Sequence, residues 1–126
     1  MDLLQAQTEH LVRLAAWSVA WLLLSLPALA RRPGGAVRPF WLTTAAWCLV
    51  NLAIVAYAAA NPTGEADRLV RLLIGSQVFN VACVATGVVL ARHRAPLPKG
   101  VGSAVLVQAL ALLILDGVLL LQLSRP

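Results

Sequence analysis

Apolar residues fill this chain in four long runs, at about 11–30, 40–60, 69–91 and 101–123, parted by polar or Pro/Gly-rich breaks. Each run approaches or exceeds the ~20 residues that span hydrocarbon at ~1.5 Å rise per residue. The first break carries Arg31, Arg32, Pro33, Gly34 and Gly35, and the second is the turn signal Asn61-Pro62-Thr63-Gly64. The third runs from Arg92-His93-Arg94 through Pro96, Pro98 and Gly100. Asp2 is placed to cap a first helix beginning near Leu3, and Gln5, Gln7, Thr8, Glu9 and His10 put its opening turns proud of the bilayer or along its interface. Pro27 falls late enough to bend or fray that helix rather than split it. Glu65 and Asp67 suit the macrodipole at the start of the third helix. Short connections make sequential helices antiparallel. The predicted fold is therefore all-α: a polytopic membrane protein, an up-down-up-down bundle of four transmembrane helices forming one domain over residues 1–126. The two halves show no repeat, which speaks against an inverted-repeat transporter within one chain.

Composition agrees, with 60% hydrophobic and 12% charged residues and a mean hydropathy of +0.83. The net charge of +5 would suit nucleic acid, but the positions of the charges exclude that partner. Apart from Arg13, the Lys and Arg residues lie at helix ends or in loops, where membrane proteins keep them. Arg31, Arg32, Arg38, Arg92, Arg94 and Lys99 gather at one end, against Arg13, Arg68, Arg71 and Arg125 at the other. That bias predicts loops 31–39 and 92–100 in the cytoplasm and both termini outside. A cleaved signal peptide would need a basic start, and this one carries Asp2 and Glu9, so the first run reads as a retained helix. Cys48 and Cys83 fall inside apolar runs and imply no disulfide framework, only small packing residues.

Polar groups at depth are the pointers to function, because they cost free energy without partners. Asn51 and Asn80 fall near the middles of the second and third runs, and Gln108 and Asp116 flank the midpoint of the fourth. Ser76, one turn from Asn80, shares a level with Asp116. Helical spacing gathers these into stripes: Thr44, Trp47, Cys48 and Asn51; Ser76, Asn80, Cys83 and Gly87; Gln108, Leu112 and Asp116. Small and polar faces are those that helices in lipid turn toward each other, so the stripes are expected to meet inside the bundle. Asp116 is expected to be neutral or held by donors such as Asn80, Asn51, Ser76, a Trp indole or Arg71. A buried polar cluster of Asn51, Ser76, Asn80, Gln108 and Asp116 that fixes helix register is the first reading; proton or cation handling, or polar-ligand recognition, is the alternative. Trp41 suits an interfacial belt, while Trp17, Trp21 and Trp47 either pack or line a cavity. His10 and His93 fall at opposite ends, so neither haem nor another cofactor is expected, and no metal site. No nucleophile-base-acid set or phosphate loop marks an enzyme.

Trp17-Ser-Val-Ala-Trp21, Arg38-Pro-Phe-Trp41, Trp47-Cys-Leu-Val-Asn51, Asn80 with Val84-Ala-Thr-Gly87, and Gln108 with Leu112-Leu-Ile-Leu-Asp116 carry a further signal. This set resembles an uncharacterised family of small bacterial four-helix membrane proteins, a domain of unknown function. The resemblance touches all four runs and implies the fold and a bacterial cytoplasmic membrane, but no activity. The chain departs from that family at Leu42-Thr43-Thr44, where a His-Gln-Met-Asn-like run is usual, and at Trp21, where Asn is. Fluoride channels of dual topology share the length but have a Gly-rich opening that is absent. Small multidrug transporters need an embedded Glu in the first helix, and Glu9 precedes the run.

The expected function is that of a non-enzymatic multipass protein, structural or accessory, self-associating through its small-residue faces or joining a larger membrane complex. The alternatives are a small transporter or channel around Asp116, and a lipid-, quinone- or pigment-binding protein.

Overall fold

A computed structural model describes residues 2–125. Four helices make up the chain: α1 (Leu3–Ala30), α2 (Val37–Ala60), α3 (Ala66–Ala91) and α4 (Pro96–Ser124), with no strand among the described residues. Each is long and apolar enough to cross a membrane, and each contains its expected run. Asp2 stands at the cap position of α1, but only its backbone carbonyl acts there, accepting the Ala6 N–H at 2.9 Å. Pro27 is carried inside α1 without ending it.

The largest departure from expectation is the start of α4, five residues before Val101. Pro96 and Pro98 read as a break in sequence, yet they occupy the first turn, where N–H groups lack intrahelical partners and a fixed φ near −65° is already helical. The Lys99 N–H closes that turn on the Ala95 carbonyl at 3.2 Å.

Helix α4 is the centre of the bundle. It packs on α3 most extensively, and also on α2 and α1, while α1 packs on α2. Close approach is licensed by glycine. A Cβ on Gly102 would strike the backbone of Ala91 and Gly87, and one on Gly87 would lie 2.9 Å from the Leu106 nitrogen. Gly100 does the same against the start of α2, at the Ala36 carbonyl. No packed interface forms between α2 and α3. The α3 stripe turns to α4, where Ser76 and Asn80 bond Asp116 and Gly87 abuts Leu106, while Trp47 and Asn51 of the α2 stripe line the space left between α2 and α3.

The interior is correspondingly small and polar: His10, Ser18, Ser25, Thr44, Asn51, Asn80, Gln108 and Asp116 are buried. Large apolar side chains such as Leu23, Ile54, Val78 and Ile114 point outward. One apolar cluster, Ala6, Leu69, Leu73 and Leu119, fills the end of the bundle that holds the termini.

Candidate functional site

Because α2 and α3 splay apart over α4, a cleft of about 610 Å³ opens between them. Val50, Ile54 and Tyr57 form one wall and Leu72 and Phe79 the other, while Leu112 and Leu119 of α4 lie at the floor. The cleft's end toward the termini is tied by Gln7, whose Nε2 donates to the Thr63 carbonyl while its Oε1 accepts the Thr63 N–H, both at 2.9 Å.

Four polar residues meet at the floor. Asp116, 6% exposed, is the acceptor. Its Oδ2 receives Ser76 Oγ–H at 2.8 Å and Asn80 Nδ2–H at 3.0 Å. The His10 Nε2 lies 3.2 Å from Oδ1. Helical geometry explains the set. Ser76 and Asn80 stand one turn apart on the face of α3 that meets α4, and α1 buries Ala6, His10, Leu14 and Ser18 at every fourth position. Gln77 extends the network, donating to the Leu113 carbonyl and accepting from Asn80, each at 3.0 Å. Arg71, expected as a partner, is exposed on α3 and makes no ion pair or side-chain hydrogen bond among the described residues.

Asn51 also lines this cleft at 4% exposure, yet among the described residues its side chain makes no hydrogen bond, and its Nδ2 is buried without a partner there. The His10 Nδ1 shares that condition. Gln108 belongs to a separate layer, eight residues or about 12 Å along α4 from Asp116. There its Oε1 accepts the Trp17 indole N–H at 2.8 Å, while Gln108 Nε2, Ser18 Oγ and Thr44 Oγ1 are buried without partners.

The tryptophans divide. Trp47 lines the cleft. Trp17, Trp21 and Trp41 form a tilted row outside it, with ring centroids 5.5 and 6.0 Å apart. Cys48 is buried and Cys83 half-buried, both as free thiols. Among the described residues, no three His, Cys, Asp or Glu side chains gather as they would around a metal ion.

His10 is the site residue that sequence reading passes over. Its signal was the four-residue spacing with Ala6, Leu14 and Ser18, hidden among the polar neighbours that begin the helix.

No curated protein and no solved structure matches this chain. Residues 13–117 match the sequence profile described as Family of unknown function (DUF6992).

Proposed function

The chain belongs to that family of unknown function, and from its site we propose a non-enzymatic multipass membrane protein that holds a lipid-soluble small molecule between α2 and α3. The observation that carries this reading is a cleft with apolar walls and a buried polar floor. Its volume, about 610 Å³, falls in the ordinary range for small-molecule sites, which combine apolar linings with a few placed polar groups. The cleft opens sideways between two helices, so in a bilayer its mouth faces hydrocarbon and a hydrophobic occupant enters from the lipid.

Binding fits better than conduction. The half of the bundle toward the arginine loops is closed by glycine-mediated contacts at Gly87, Gly100 and Gly102, which leaves a side pocket and no axial path. Binding also fits better than catalysis, because the His10–Asp116 pair activates no nucleophile; Ser76, the hydroxyl beside it, is bonded to the carboxylate itself. Beyond the bilayer, the proposed protein partners are further copies of the chain or a larger complex, met through its small-residue faces. The proposed setting is the bacterial cytoplasmic membrane, with both arginine-rich loops inside.

The test is saturable uptake of a lipophilic naphthylamine dye by the purified chain in detergent. Ala46→Trp, at a cleft-lining position, is expected to weaken uptake at least tenfold while the helical circular dichroism stays unchanged. Dye that only partitions, without saturation, in the wild-type protein would remove the reading.

A further inference from the structure

The cleft is long for its volume. Its lining positions on α2 run from Thr43 to Asn61, about 27 Å at the helical rise, and those on α3 from Leu69 to Asn80, about 16 Å. Dividing the volume of about 610 Å³ by the longer wall leaves a mean cross-section of about 23 Å². Packed carbon atoms lie ~4 Å apart, so one unbranched alkyl chain fills on the order of 15–20 Å². The slot takes one such chain lengthwise, and neither two side by side nor a fused-ring skeleton.

Its floor offers no anchor to a polar head. Asp116 has both oxygens engaged, by His10, Ser76 and Asn80, and Asn51 Nδ2 and His10 Nδ1 are sealed beneath the surface. The two ends differ from the floor and from each other. Toward the arginine loops the lining stops at Thr43, Ala46 and Trp47, past the middle of α2 and therefore within hydrocarbon. Toward the termini it reaches Tyr57 and Asn61, both exposed near the end of α2. Arg68 stands at that end on α3, one turn outward of the lining residue Leu72 and on the same side of the helix. It is exposed and makes no ion pair among the described residues, Glu65 and Asp67 beside it included.

We propose that the occupant is a single-chain amphiphile with an anionic head, its chain lying along the slot with the terminal methyl at Trp47 and its head at Arg68. The inference rests on the cleft being a ligand site. An extended chain advances ~1.2 Å per bond, so the two walls suit chains of about 14–22 carbons.

The experiment uses octadecanoate carrying a nitroxide either near its carboxyl or near its terminal methyl, with tryptophan fluorescence as the readout in detergent. The methyl-end label is expected to quench saturably and more strongly, and that excess is expected to vanish in Trp47→Phe, whose fold is checked by circular dichroism. Stronger quenching from the carboxyl-end label overturns the proposed orientation. Unlabelled octadecanoate is expected to displace the naphthylamine dye about tenfold better than a sterol or a diacyl phosphatidate, which overfill the slot. Equal displacement by all three overturns the single-chain assignment and leaves the cleft reading intact. Arg68→Gln is expected to lower the preference for the acid over its methyl ester about two- to fivefold, the scale of an exposed ion pair. An unchanged preference overturns the anionic head. Loss of saturable dye binding in the wild-type protein removes both readings together.

Discussion

At the scale of single residues, the bundle turns on one carboxylate and its donors. Replacing Asp116 by Leu strands His10 Nε2 and Ser76 Oγ in the interior and leaves Asn80 Nδ2 with Gln77 alone. Breaking a buried pair in this way costs on the order of 3–5 kcal/mol, so Asp116→Leu is expected to unfold well below the wild-type temperature in detergent. His10→Leu with Asp116→Leu should recover part of that loss, with a coupling of about 0.5–3 kcal/mol in a thermal or denaturant double-mutant cycle. Strict additivity would separate the two side chains energetically despite their 3.2 Å approach. Much of this cluster is legible in sequence. Asp116, Asn80 and Ser76 stand out because a polar group inside an apolar run is costly, and the helical rise alone puts Ser76 level with Asp116. His10 is illegible for the opposite reason. It follows Gln5, Gln7, Thr8 and Glu9, so its polarity marks nothing, and it precedes the matched segment 13–117. Only tertiary packing distinguishes the one polar side chain of that stretch that is fully buried.

Helices bring these residues together through backbone proximity, and α3 carries a test of that at two glycines. Gly87 sits against α4, where an added Cβ would lie 3.0 Å from the Gly102 carbonyl, whereas Gly75 has nothing within 4 Å. Gly87→Ala is therefore expected to destabilise by about 1–3 kcal/mol through overpacking, and Gly75→Ala to stabilise by about 0.5–1 kcal/mol through helix propensity. Thermal melts of the two variants in one detergent give opposite signs if the α3–α4 contact is as close as it stands. Element packing is also where sequence reading reaches its limit. The small and polar stripes of α2 and α3 are visible from their spacing, and their meeting inside a closed four-helix bundle is the natural expectation. What periodicity does not convey is that α4 buries residues on several faces, from Gly100 and Gly102 to Gln108, Ala109, Asp116 and Leu119. It therefore packs on both helices, and α2 and α3 are left apart with the cleft between them. The Pro96–Gly100 segment misleads for a related reason: the same residues break a helix in its interior and begin one at its first turn.

For the whole molecule, the distribution of polarity is nearly the reverse of that in a water-soluble domain, with His10, Asn51, Asn80, Gln108 and Asp116 inside beside a few leucines, and large apolar side chains such as Leu23, Ile54 and Val78 outside. That arrangement suits hydrocarbon, where helices satisfy their own backbones and small or polar side chains hold them together. It also fixes which segments share a side. The α1–α2 and α3–α4 connections lie at one end of the antiparallel bundle, and the α2–α3 connection lies at the other with the termini. Gly34 and Gly64 have open space around them, and Ala95 is exposed, so each accepts a reporter cysteine after Cys48→Ala and Cys83→Ala remove the native thiols. In right-side-out bacterial membrane vesicles, an impermeant maleimide is expected to label Gly64→Cys directly and Gly34→Cys and Ala95→Cys only after the bilayer is opened. The charge bias sets this direction, with six basic residues at the arginine-loop end against four at the other. Converting Arg31, Arg32 and Arg38 to Gln should weaken it and yield mixed labelling. The two parts of the prediction fail separately. Reversed labelling of all three sites would overturn the orientation and keep the four crossings, whereas labelling of Gly34→Cys and Gly64→Cys from one side would exclude a membrane crossing by α2 and with it the bilayer-facing cleft.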